Sequence, residues 1–110
     1  MRDDTEKLRD MLEAIARIER YARLGKENFE QDELVQVWIV NNLQIIGEAA
    51  RALSNNFREE HPEIPWSQII GMRNILVHNY FEIDLDIVWS AWEQNLPDLK
   101  SKVEAILSNT

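Results

Sequence analysis

Three side chains able to do chemistry fall within eight residues of this chain, in the run Arg73-Asn74-Ile75-Leu76-Val77-His78-Asn79-Tyr80. A guanidinium grips phosphate oxygens through a planar fork and stays charged at any working pH. An imidazole titrates near neutrality and serves as general acid or base. The Tyr80 hydroxyl adds a group that could itself be modified. Ile70, Ile75, Leu76 and Val77 around them anchor the segment in a core.

An anion fork beside a proton carrier could act on an RNA phosphodiester. RNA brings its own nucleophile, the 2′-OH, so no metal is required if one group removes that proton and another stabilises the pentavalent phosphate. An arginine and a histidine five positions apart also arise by chance, and the structural alternative is a salt link plus a partly buried histidine. Five positions correspond to about 140° around a helix, so Arg73 and His78 do not share one narrow face. Either the helix ends near His78 and Asn79 and lets the histidine turn back, or a two-fold dimer brings two copies of the motif into one groove.

Periodicity supplies the elements that hold this motif. Leu8, Met11, Leu12, Ile15, Ile18 and Ala22 form one helical stripe that predicts a first helix over roughly 3–24, with Gly25 as its stop. A second helix is expected from Asp32 toward Leu53, with Val37, Trp38, Ile45, Ala49 and Leu53 on one broad face. Its second apolar track, Val40, Leu43, Ile46 and Ala50, exceeds what one partner helix requires and is read as burial against a second subunit. Residues 55–65, with two prolines and many charges, read as a connection, and His61 within them as a surface or capping residue. Pro65 then opens a third helix bearing the motif, Asp84 caps a fourth through Val88, Trp89 and Trp92, and Pro97 sits in the first turn of a last one. The four tryptophans lie at core spacing, which favours packing over base stacking. The expected architecture is an all-α bundle of four to five helices, dimeric, forming one domain over 1–110.

Composition narrows the function. The net charge of −8 is uneven: residues 1–26 hold seven Lys/Arg against six Asp/Glu, residues 27–72 two against eight, and residues 73–110 three against six. That balance disfavours sequence-blind binding to duplex through many phosphate contacts. Arg9, Arg17, Arg20, Arg23 and Lys26 with Arg73 could still form a basic pocket, although a solvated, ion-paired helix face is the favoured reading of the first-helix charges. With no cysteine, there is neither a disulfide framework nor a thiolate metal site. The N-terminus lacks the apolar stretch of a signal peptide and nothing approaches a membrane span, so a soluble, cytoplasmic protein without membrane contact is expected.

The Arg73, four residues, His78, one residue, Tyr80 pattern resembles the signature of HepT-type toxins in the HEPN superfamily. Gly47-Glu48-Ala49-Ala50, the approach His61-Pro62-Glu63-Ile64-Pro65-Trp66, Gly71-Met72-Arg73-Asn74 and Leu96-Pro97 extend the likeness over nearly the whole chain. The resemblance implies a HEPN-type bundle and a metal-independent endoribonuclease acting on tRNA or mRNA at a homodimer cleft. It also implies a type VII-like toxin–antitoxin pair whose partner is a minimal nucleotidyltransferase antitoxin. Carried over by position, Arg73 and His78 are catalytic, Asn74 orients substrate, and Tyr80 is the tyrosine that the antitoxin modifies with AMP, which would block the groove. No cofactor or metal is implied.

Glu48 lies beside small residues where helices would approach closely, and Arg73 is its natural cation, so Glu48 is expected to orient Arg73. Two other readings stay open: a non-catalytic HEPN module that binds a nucleotide or docks a nucleotidyltransferase, which the net charge favours, and a simple dimerising bundle.

Overall fold

A computed structural model describes residues 3–78 and 84–109, with residues 75–78 described by their backbone. The elements are α1 (Asp4–Ala22), α2 (Lys26–Gln31), α3 (Glu33–Ala52), α4 (Asn55–Glu60), α5 (Trp66–His78), α6 (Leu85–Ser90) and α7 (Leu96–Ser108), with a π-helical segment Ala91–Asn95 joining the last two. The described residues contain no strand, so the protein is all-α.

Short polar side chains start these helices by taking up amide N–H groups that have no partner inside the helix. Asp3 Oδ1 accepts from the Glu6 N–H at 2.9 Å. Asp32 Oδ1 accepts from Leu34 and Val35 at 3.0 and 3.3 Å. Asp84 Oδ1 does the same for Asp86 and Ile87 at 2.9 and 3.4 Å. Gly25, at φ 100°, turns the chain out of α1 in a conformation that side chains disfavour.

Helix α3 is the axis of the bundle, with α1 and α5 both packed on it and α7 packed on α1. This position corrects the reading of its second apolar track. Val40, Leu43, Ile46 and Ala50 are 8%, 5%, 2% and 0% exposed and belong to the core of a single chain, so they are not a face for a second subunit. A helix flanked by two neighbours has to be apolar on two sides. Val37, assigned to the buried face, is instead 59% exposed.

Residues 55–65 are not simply a connection. Ser54 Oγ accepts from the Phe57 N–H at 3.2 Å and starts α4, while buried Phe29 anchors the equally unforeseen α2. Six residues make under two turns, too few to show a period. His61 ends α4 as a partly exposed residue, its ring 4.5 Å from Phe57 and its carbonyl accepting from Trp66 Nε1 at 2.9 Å. The tryptophans are structural as expected: Trp66 and Trp89 are buried, and Trp38 and Trp92 pack partly buried against the core.

Pro97 stands at the start of α7 as predicted, but α6, the π segment and α7 form one continuous run. A proline ring clashes with the carbonyl four residues earlier, here that of Glu93. The widened turn, in which the Leu96 N–H donates to the Ala91 carbonyl, accommodates it without breaking the rod.

One long-range polar tie closes the bundle. Asp4 accepts from the Ser54 N–H at 3.0 Å and from the Ser54 hydroxyl at 2.7 Å, while Lys7 Nζ donates to the Ala52 carbonyl at 2.6 Å. Burial works to raise the Asp4 carboxyl, but the two Ser54 hydrogen bonds and the Lys7 charge together hold it below its ordinary value. A depressed carboxyl pKa stabilises the fold above the unfolded-state value, and that contribution disappears as pH falls through the folded value. Asp4→Ala should therefore cost about 1 kcal/mol at neutral pH. In urea melts its difference from the unsubstituted chain should shrink in acid; a pH-independent difference would remove the linkage.

Candidate active site

The closest helix approach among the described glycines falls at Gly47 of α3. A Cβ built there would lie 2.1 Å from Cβ and 2.7 Å from Cγ of Arg73, distances no real side chain tolerates. Arg73 is thus seated with its aliphatic stem against the backbone of α3. Its stem is immobilised and its head is free to make polar contacts.

The guanidinium has two partners. Nη2 donates to Glu48 Oε1 at 3.3 Å and Nη1 to Asn74 Oδ1 at 3.2 Å. The Arg73 side chain is 19% exposed and that of Glu48 is 57% exposed. The carboxylate is accordingly a surface group and not the buried one that its small neighbours suggested. A long contact to an exposed carboxylate contributes about 0–1 kcal/mol, so an incoming phosphate can compete for the same donors. A guanidinium carries five N–H bonds, and two contacts leave others available. The Nε of Arg73 is buried and unpartnered among the described residues. An unmet buried donor costs about 1–3 kcal/mol, a penalty that an arginine serving only to pack would ordinarily avoid.

Helix α5 continues through His78. Within it Arg73 and His78 keep their separation of about 140°, whereas position 78 follows Asn74 by one turn, only about 40° away. The structure therefore joins Arg73, Asn74 and Glu48 by contact and puts position 78 on the Asn74 side of the helix. The assigned modification site, Tyr80, lies outside the described residues.

That side of α5 borders an open groove shared with α4 and lined by Asn55, Arg58, Ser67, Gly71 and Asn74, among others. Arg58 Nη2 donates to Asn55 Oδ1 at 2.5 Å, and Arg58 lines the groove beside the carboxylate of Glu59. Sequence reading missed Arg58 because it assigned residues 55–65 to a connection. The Ser54 cap, followed by Phe57 three positions on, was the available signal. Among the described residues no group of three or more His, Cys, Asp or Glu could hold a metal ion, and no helix is long and apolar enough to cross a membrane.

A helical bundle that seats an arginine against a glycine of its central helix, about 1.4 turns before a histidine, is the frame in which the comparisons fall. Residues 11–106 match the family described as ribonuclease HepT-like. The chain is 38% identical over 106 residues to the "Probable ribonuclease HepT" of Thermococcus cleftensis, covering 96% of each protein. It is 27% identical over 124 aligned positions to the "mRNA nuclease HepT" of Shewanella oneidensis, covering 91% of this chain and 92% of that one. No solved structure matches it. The chain belongs to the HepT-like ribonuclease family of the HEPN superfamily.

The seat of Arg73 is open to direct test. Alanine normally improves a helix interior over glycine by about 0.5–1 kcal/mol, but at Gly47 the overlap with Arg73 should dominate. Gly47→Ala is expected to lower stability by about 1–3 kcal/mol, read by chemical denaturation. A neutral or stabilising result would mean that α3 and α5 separate at no cost.

Proposed function

We propose that this chain is a metal-independent endoribonuclease, the toxin of a type VII-like pair whose antitoxin is a minimal nucleotidyltransferase, working in the cytoplasm. The observation that carries this reading is the seated Arg73, with spare N–H donors, on the same helix as His78 and beside an open groove. An RNA lying along α4 and α5 brings its scissile phosphate to the Arg73 fork. His78 removes the proton from the 2′-OH, whose oxygen attacks the adjacent phosphorus while Arg73 offsets the charge on the pentavalent phosphate. The bond to the 5′ oxygen breaks, and that oxygen takes a proton from an imidazolium. The products are a 2′,3′-cyclic phosphate and a 5′-hydroxyl.

Because Arg73 and His78 lie on different sides of α5, a homodimer in which two such helices face one another supplies base and acid from two histidines. Asn74 orients the substrate, and Glu48 holds the Arg73 fork until phosphate replaces it. AMP attached to Tyr80 adds a bulky anion that blocks the groove and repels RNA, which silences the toxin. The net charge of −8 favours the second reading, a nucleotide-binding or docking module that does not cut.

Incubating the unmodified chain with tRNA and total RNA in excess chelator decides between them. Cleavage should produce cyclic-phosphate ends and fall about 100-fold or more in Arg73→Ala and in His78→Ala. Glu48→Gln should fold normally but cleave more slowly, and unchanged cleavage would leave Glu48 without this role. A folded, dimeric, unmodified sample that leaves RNA intact would favour the docking module.

Gly71 offers an independent check on the groove. A Cβ there would meet nothing within 4 Å, so nothing in the described chain requires a glycine in the middle of α5. Clearance for an approaching RNA backbone or second copy does require one. Gly71→Ala should raise stability by about 0.5–1 kcal/mol and yet depress cleavage; cleavage at the original rate would put the substrate path elsewhere.

A further inference from the structure

A second groove lies on the outer side of α1 and shares no lining residue with the Arg73 site. It is formed by Ala16, Glu19, Arg20 and Arg23 of α1 and its cap, facing Trp92 of the π segment. Three observations distinguish it from an ordinary charged helix face.

The first is charge. Several cations of this acidic chain are neutralised nearby: Arg17 by Glu13 at 2.6 Å, Lys26 by Asp86 at 3.4 Å and Lys102 by Asp98 at 2.8 Å. The side chains of Arg20 and Arg23 are exposed and, like those of Arg9 and Arg51, have no hydrogen-bond or ion-pair partner among the described residues, and these two share one groove. The one carboxylate lining the groove, Glu19, is taken by Lys100 at 2.9 Å, so the groove keeps the charge of both arginines.

The second is geometry. Arg20 and Arg23 are three positions apart at the end of α1, which puts them on one side of it about a helical turn apart. Successive phosphates of a nucleic-acid strand can meet them in turn. The third is the wall opposite. Trp92 is only partly buried and lines the groove opposite the arginines. An indole beside two uncompensated guanidiniums suits a ligand that is both anionic and aromatic, which an acidic peptide is not.

We propose that Arg20, Arg23 and Trp92 form a subsite for single-stranded RNA, with phosphates on the two arginines and a base against the indole. The proposal rests on the ribonuclease reading for its choice of RNA and extends that reading with a surface remote from the chemistry. Such a surface lets an acidic protein hold a long RNA, while a substrate too short to reach from Arg73 gains nothing from it. This partly reverses the structural assignment of Trp92, whose ring packs on the core with one part and faces the groove with another.

The test measures binding in a His78→Ala background so that no RNA is cut. A fluorescent oligouridylate of about twelve nucleotides is titrated by anisotropy at several salt concentrations. Arg20→Gln with Arg23→Gln should weaken binding at least tenfold and reduce the slope of log affinity against log salt by about 1.4, the counterion release of two phosphate contacts on a single strand. Trp92→Leu should weaken it about fivefold or more, and Trp92→Phe, which keeps an aromatic face, should retain most of it.

Unchanged affinity and slope in the double arginine variant would overturn the proposal. So would an oligoglutamate of equal length that binds as tightly and is equally sensitive, since that defines a surface for acidic protein. In the active chain the arginine substitutions should raise KM for long RNA and leave dinucleotide cleavage unchanged. Binding that depends on Arg20 and Arg23 in a chain that never cuts RNA would sink the ribonuclease reading alone. Cleavage of long RNA indifferent to both arginines would sink the subsite alone.

Discussion

Two helices approach until their backbones nearly touch only where one of them contributes no side chain, and in this protein that place is Gly47 against Arg73. The contact sets the distance between α3 and α5 and leaves the arginine stem little room to move. It also determines what the next residue can do: with Gly47 turned toward α5, Glu48 is left at the rim, half in solvent, within reach of the guanidinium. The two apolar tracks of α3 follow from the same arrangement. A helix held this closely on one flank and packed by α1 on the other has to be buried on both.

The electrostatics are those of an acidic protein in which several cations are neutralised locally. Arg17, Lys26, Lys100 and Lys102 are joined to carboxylates one turn away or on a neighbouring helix. Against that background the arginines that matter are those with a weak partner or none that also stand at a groove. Arg73 has a long contact to an exposed glutamate, and Arg20 and Arg23 share a groove with no partner among the described residues. A net charge taken over the whole chain hides these sites, because binding responds to the field at a groove and not to the sum.

Much of this was readable in the sequence, and what was not has physical causes. The run from Arg73 to Tyr80 stood out because an arginine, a histidine and a tyrosine gather there in an otherwise plain helical sequence, and Asp32, Asp84 and Pro97 marked helix starts because capping is local chemistry. Helices α2 and α4 escaped because under two turns of helix show no period. The track through Val40, Leu43, Ile46 and Ala50 was legible as apolar, but whether its cover came from α1, α5 or a second chain depends on tertiary arrangement, which no local pattern encodes. Val37 was misplaced for the same reason. Glu48 was correctly paired with Arg73 by neighbourhood, while its exposure depended on the way Gly47 turns the helix.

The π turn before Pro97 has a consequence for how this helical rod tolerates change in length. In an α-helix, residues five apart point about 140° away from each other. Across the π turn Ala91 and Leu96 are joined by a hydrogen bond and both are buried, 5% and 4% exposed. The turn therefore acts as a one-residue phase correction that lets α6 and α7 face the same core. Loss of a single residue between 91 and 95 would place Ala91 and Leu96 four positions apart, about 40° around an α-helix, so α6 and α7 would keep their facing to the core, while Pro97 would lose the wide turn that accommodates its ring. The frame of the rod thus survives a change of one residue at its middle, and its proline does not.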